Sequence, residues 1–189
     1  MQVKNIERPV VWDPSIGFSA RLLGFAAVCE GGTYIGTDPA TMMFTDAMRL
    51  GQELKDRIII DIRQVGSELV KIEKESLDLV YTSPPYFSLE QYVDEPGQCW
   101  RDYPDIDSWT KQYLFPTFQT AFDSLKSERY MVINISNNLS DIIENVAGMV
   151  GFKRRSDLDL KMSLGRDHFH RKHGYVDERF EPFLVFEKK

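Results

Sequence analysis

The segment Leu77-Asp78-Leu79-Val80-Tyr81-Thr82-Ser83-Pro84-Pro85-Tyr86-Phe87 runs from an apolar strand straight into a hydroxyl, two prolines and two aromatics. Each proline fixes φ and removes a backbone donor, so the carbonyls here are held in place without local amide partners. A turn of this kind presents the Ser83 side chain and the Pro84 carbonyl as two fixed acceptors. That pair suits an exocyclic amine, which has two N–H groups to donate. Pro85 stiffens the turn, Tyr86 can stack on the ring that carries the amine, and Phe87 extends the substrate side with a second ring. The competing reading is a strand-ending proline turn with a buried tyrosine. An apolar strand of an alternating α/β chain that ends in these four residues favours the chemical reading.

Other candidates stand in the same kind of place. Asp13-Pro14-Ser15-Ile16-Gly17-Phe18-Ser19 follows a short β-prone run, Val10-Val11-Trp12. Gly17 permits a tight turn and close approach of a ligand to backbone before a helix begins, and Ser15 and Ser19 are also small. A plain strand-to-helix turn is the alternative. Asp38, in Gly36-Thr37-Asp38-Pro39, ends a second strand, and its carboxylate can accept bonds from two hydroxyls. It also suits the start of a helix beside Pro39. Glu68, in Gly66-Ser67-Glu68, follows a third strand and reads either as a ligand contact or as an ordinary exposed glutamate. All three histidines lie in Arg166-Asp167-His168-Phe169-His170-Arg171-Lys172-His173. His-x-His spacing raises a metal site, but no carboxylate or cysteine arrangement supports one, so no metal is assigned. Arg166, His168, His170, Arg171 and Lys172, with Phe169 and Tyr175 nearby, better suit phosphate contact and base stacking. A solvated loop is the alternative there.

Thr82-Ser83-Pro84-Pro85-Tyr86 resembles the catalytic motif of amino-group DNA methyltransferases, which methylate N4 of cytosine or N6 of adenine using S-adenosylmethionine. Asp13 to Ser19 is similar to the first cofactor motif of that family, and Arg179-Phe180-Glu181-Pro182-Phe183-Leu184-Val185-Phe186 to its closing strand. The resemblance implies that Asp13, Pro14, Ser15 and Gly17 bind the cofactor, that Asp38 holds its ribose hydroxyls and that Glu68 lies near its adenine ring. The family's second glycine, two residues after the first, is Ser19 here. Ser-Pro-Pro-Tyr is commoner among the cytosine-N4 enzymes, so the expected product leans to N4-methylcytosine. Two rivals stay open: a related methyltransferase acting on RNA or a protein amide, and a non-catalytic cofactor-binding subunit of a larger modification complex.

The elements that must position these residues alternate. Strand patterns at 10–12, 33–37, 58–65, 77–82 and 130–135 are separated by helical patterns at 19–28, 41–54 and 109–125. A helix at 141–149 and strands at 153–162 and 182–187 follow. Such alternation implies right-handed crossovers and a mostly parallel sheet with helices on both faces. The last two strands read as a hairpin, which gives seven strands with a C-terminal antiparallel one, in keeping with the Rossmann-like methyltransferase fold that the resemblance implies. Ligands of such sheets bind beyond the carboxyl ends of the strands, so every candidate above falls on one rim. Ser88 to Ser108 is acidic and aromatic, and reads as a lid or substrate-contacting loop.

With 189 residues, 42% hydrophobic and 28% charged, the chain is too apolar for disorder and suits one domain spanning 1–189, with no separate target-recognition domain. No apolar stretch approaches the roughly 20 residues of a membrane span, and no signal-like segment opens the chain, so no membrane partner and a cytoplasmic location are expected. Cys29 and Cys99 make no disulfide framework. The net charge of −6 counts against tight autonomous binding of DNA, the substrate that the resemblance implies. A recognition subunit or a longer parent chain is therefore the expected partner.

Overall fold

The computed structural model describes residues 6–85, 90–163 and 180–189. β-Branched and apolar residues at Val10–Asp13 (β1), Thr33–Thr37 (β2), Ile59–Arg63 (β3), Leu77–Thr82 (β4) and Leu125–Asn134 (β5) form five mutually parallel strands. Ala20–Val28 (α1) and Thr41–Leu54 (α2) connect the first three. After β4 come two short helices, Cys99–Asp102 (α3) and Ile106–Ser108 (α4), then a π-helical turn at Trp109–Leu114 that runs into Phe115–Ser124 (α5). Ser140–Val150 (α6) follows β5, and Lys153–Arg154 (β6), Leu160–Ser163 (β7) and Phe180–Glu187 (β8) complete the sheet.

The strand order is β3-β2-β1-β4-β5-β8-β6, with β7 also on β8, and β8 runs antiparallel to its neighbours. β6 and β7 pair with successive parts of β8, Lys153 opposite Glu187 and Leu160 opposite Phe183. They are one edge strand broken by a 3-10 turn at Ser156–Leu158, so the sheet has the seven positions expected. The break has a local cause. The Asp159 carboxylate accepts hydrogen bonds from the Arg154 guanidinium at 2.6 Å and from the Val185 backbone N–H at 3.2 Å. A side chain thus takes a donor that a continuous ladder would use. The expected helix at 109–125 starts earlier, at Ile106, and Leu125 already belongs to β5.

Strand alternation divides the core between the two faces. Tyr34 of β2 packs with Leu22 and Ala26 of α1 and Ala47 of α2. Its neighbour Ile35 joins Trp12, Val80, Phe118 of α5 and Ile143 of α6 on the other face. β1 lies between β2 and β4, where the strand order reverses direction, and the crevice beyond its carboxyl end is where such sheets bind ligands. No described helix is long and apolar enough to cross a membrane.

Candidate active site

The carboxyl ends of β1, β2 and β4 and the loop after β3 surround a cavity of about 240 Å³. The segment after β1 is shaped by Asp13, which is fully buried. Its Oδ1 accepts from the Ser15 backbone N–H at 3.1 Å, and its Oδ2 accepts from Arg21 Nε at 2.7 Å and the Tyr34 hydroxyl at 2.6 Å. Arg21 also donates to the Ser15 carbonyl. Burial, and then the adjacent Asp13 charge, push the Tyr34 phenol far above its usual range, so it stays a neutral donor. Asp13, expected among the cofactor contacts, is not among the residues that line the cavity; its bonds to Ser15, Arg21 and Tyr34 hold the loop that does. Pro14, Ser15 and Gly17, expected beside it, do line the cavity. So does Arg21, which the sequence did not single out.

Gly17 has φ +50°, the left-handed conformation that glycine adopts freely. Ser19 has φ +62°, which for a residue with a Cβ is uncommon. The serine that stands where the resembled motif has its second glycine thus keeps a glycine-like backbone. Its side chain is buried, and its hydroxyl has no partner among the described residues.

Asp38 follows β2 and faces the same cavity. Its Oδ2 accepts from the Gly17 N–H at 3.1 Å, which ties the end of β2 to the loop after β1, and its Oδ1 accepts from Ala40 N–H at 3.0 Å. Burial raises its pKa above the usual carboxylate range, against the lowering effect of those two amides. Glu68 lines the cavity after β3, and its Oε1 accepts from the Tyr103 hydroxyl at 2.9 Å. Burial raises its pKa too.

The proline turn after β4 also reaches the cavity. Ser83 and Pro85 line the cavity, and Pro84 between them is buried. Tyr86 and Phe87 lie outside the described residues, as do Arg166, His168, His170, Arg171 and Lys172 with the reading of the histidine cluster.

Of the segment 88–108, read from the sequence as a lid or substrate-contacting loop, residues between 90 and 100 contribute to the lining of the cavity. The Glu95 carboxylate accepts from the Thr41 N–H at 2.9 Å and its hydroxyl at 2.8 Å at the start of α2. Tyr92 meets Phe18 edge-on, with ring centroids 6.0 Å apart. Phe18 is 72% exposed, an aromatic edge at the entrance. This segment brings Gln98, Cys99 and Trp100 to the cavity. Burial and the nearby Glu68 charge push the Cys99 thiol up, which makes it a poor nucleophile. The π-helical turn carries Tyr113, whose hydroxyl lies 3.2 Å from Ser15 Oγ, although its pattern reads as core. No periodicity flags a residue that packs and also presents a polar tip.

No family model and no curated protein matches the sequence. Solved structures do resemble its fold. A SAM-dependent methyltransferase from Methanosarcina mazei superposes with a TM-score of 0.65 at 10% identity, over 97% of this chain and 94% of that one. A methyltransferase from Pyrococcus furiosus gives 0.63 at 16% identity, over 98% and 79% respectively. A TehB-like SAM-dependent methyltransferase from Corynebacterium glutamicum gives 0.60 at 14% identity, over 98% and 83%. The chain thus has the Rossmann-like fold of SAM-dependent methyltransferases, with its cavity at the switch point of the sheet.

Proposed function

We propose that this protein is an S-adenosylmethionine-dependent methyltransferase that acts on an exocyclic amino group in DNA, cytosine N4 in preference to adenine N6. The observation that carries the reading is the meeting of two devices in one cavity. Ser83 and Pro85 of the rigid acceptor turn line it on one side, and Asp38 and the Gly17 loop line it on the other.

The residues present fit the cofactor. Asp38 offers a carboxylate to the ribose hydroxyls, Ser15 and Gly17 leave room for the chain that ends in an amino acid, and Gln98 adds a buried amide whose nitrogen has no partner among the described residues. When bound, S-adenosylmethionine supplies an electrophilic methyl group on a sulfonium. The chain's own residues align the nucleophile. The amine of a base is conjugated to its ring, and its lone pair is delocalised. Two N–H bonds donated to Ser83 Oγ and the Pro84 carbonyl favour a more tetrahedral nitrogen and turn the lone pair toward the methyl group. Such positioning can be worth up to roughly 7–11 kcal/mol in ideal systems. A base stacked inside a duplex cannot reach a cavity at the sheet rim, so the target base is flipped out. Tyr86 stacks on it. No general base has to act before transfer, and the proton of the methylated amine leaves afterwards through its acceptors to water.

Asp38→Asn is expected to weaken binding of S-adenosylhomocysteine about tenfold, because the amide keeps one acceptor but loses the charge that strengthens the ribose bonds. The ionised form is the one that binds, and burial raises its pKa, so wild-type affinity should fall on acidification from a higher pH than an ordinary carboxylate would give. Calorimetry from pH 7 to pH 5 should show that fall in the wild type and a flatter profile in Asp38→Asn. A flat wild-type profile would remove Asp38 from the cofactor site.

The net charge of −6 favours a second reading, in which the same turn receives a planar nitrogen of a less anionic substrate such as a protein amide. Transfer of a labelled methyl group to DNA, RNA and protein extract, assayed side by side, separates the two. Label in DNA is the expected result, and label in protein alone would replace it.

A further inference from the structure

Gln98 stands out among the groups around the cavity. It is only 8% exposed, it lines the cavity, and its Nε2 has no hydrogen-bond partner among the described residues. A buried amide without a partner is costly, and a protein that keeps one beside a cavity gains when a ligand supplies the missing acceptor.

The position of Gln98 is built rather than incidental. On one side, Glu95 is fixed to the start of α2 through Thr41. On the other, Tyr103 is fixed to Glu68. Between them, Gly97 has φ +85°, and a methyl group on it would come within 2.9 Å of Pro39 Cβ. The backbone therefore lies against Pro39, next to Asp38, and the following residue, Gln98, enters the lining of the cavity, to which Glu68 also belongs. The carbonyl of Cys99, the next residue, accepts from the Tyr103 N–H at 2.9 Å, and the Tyr103 hydroxyl donates to Glu68, so one residue links the Gln98 segment to that carboxylate. One cavity is thus lined by a donor amide and by an acceptor carboxylate whose lone pairs outnumber the one bond it takes from Tyr103.

A donor and an acceptor lining one cavity can complement the amino edge of adenine, where an N–H donor flanks a ring-nitrogen acceptor. We propose that Gln98 is a specificity-determining residue, its amide donating to the ring nitrogen that flanks the adenine amine while Glu68 accepts from that amine. This rests on the reading that the cavity binds an adenosyl cofactor. The pairing selects adenosyl over other purine nucleosides: a keto group in place of the amine would face the Glu68 carboxylate with no hydrogen to share.

The test is calorimetric binding of S-adenosylhomocysteine and its 1-deaza and 7-deaza analogues to the wild type, Gln98→Ala and Gln98→Leu. In the wild type, one of the two analogues should bind about tenfold more weakly than the parent, the expected worth of one buried bond. In both variants the parent should lose about the same factor, and that analogue should show no further penalty. Gln98→Leu fills the space that Gln98→Ala empties, and a cooperative melting transition certifies the fold of each. Equal affinity of the wild type for all three ligands overturns the proposal, as does a deaza penalty that persists in both variants. Failure of the wild type to bind S-adenosylhomocysteine at all overturns the cofactor reading along with it, and is a distinct result.

Discussion

Replacing Ser83 with alanine is expected to slow methyl transfer to DNA about 10²–10³-fold, with S-adenosylhomocysteine affinity unchanged within about twofold. The nitrogen gains positive charge as the new bond forms, so its N–H bond to Ser83 Oγ becomes charge-assisted and is strongest in the transition state. Losing it removes that stabilisation and also lets the amine rotate away from the line of attack. The Pro84 carbonyl remains and holds one of the two hydrogens, which is why some activity should persist. Ser83→Thr retains the hydroxyl and should recover part of the rate. Single-turnover measurements with saturating cofactor read the chemical step directly. A Ser83→Ala enzyme within about threefold of the wild type would remove the serine from the reacting centre.

The second large effect concerns stability. Asp13→Ala should cost about 3–5 kcal/mol, because it strands a partly buried cation and a buried hydroxyl that share one carboxylate. For a chain of this size that corresponds to a fall in melting temperature of about 6–20 °C. The side chain of Asp13 has no solvent exposure, and that of Arg21 only 21%, so water cannot replace the lost partner for free. Tyr34→Phe removes a single neutral donor and should cost only about 1 kcal/mol. The variant Asp13→Ala should also bind cofactor poorly even where it is folded, since Ser15 N–H and the Arg21 guanidinium both lose their anchor at the cavity. Denaturant unfolding of the two variants decides this. Equal, small losses for both would mean that the network contributes little.

Much of this arrangement was legible in the sequence because the signals were local. The alternation of strand and helix patterns gave the parallel sheet, and the prolines after Thr82 marked a turn at a strand end, where Ser83 and Pro85 indeed border the cavity. Asp38 and Glu68, singled out from their positions after β2 and β3, line the same cavity. What stayed hidden depends on contacts between distant segments. The buried Asp13 carboxylate is bonded by Tyr34, a residue that reads as an ordinary apolar strand position. Gln98 carries no pattern at all; its place follows from Glu95 capping α2 and Gly97 lying on Pro39, both formed across more than fifty residues of chain. The broken edge strand depends on Asp159 reaching Val185. Tyr113 was read as core, correctly as to burial, while its hydroxyl at the cavity follows from the π-helical turn.

The most direct test of the central claim is nucleoside mass spectrometry of DNA from cells that lack native DNA methylation and express either the wild type or Ser83→Ala. N4-methylcytosine should appear with the wild type and be absent or nearly so with the variant. N6-methyladenine in its place would keep the reaction and overturn the preference for cytosine. Neither base, from soluble protein that binds S-adenosylhomocysteine, would contradict methylation of DNA by this chain.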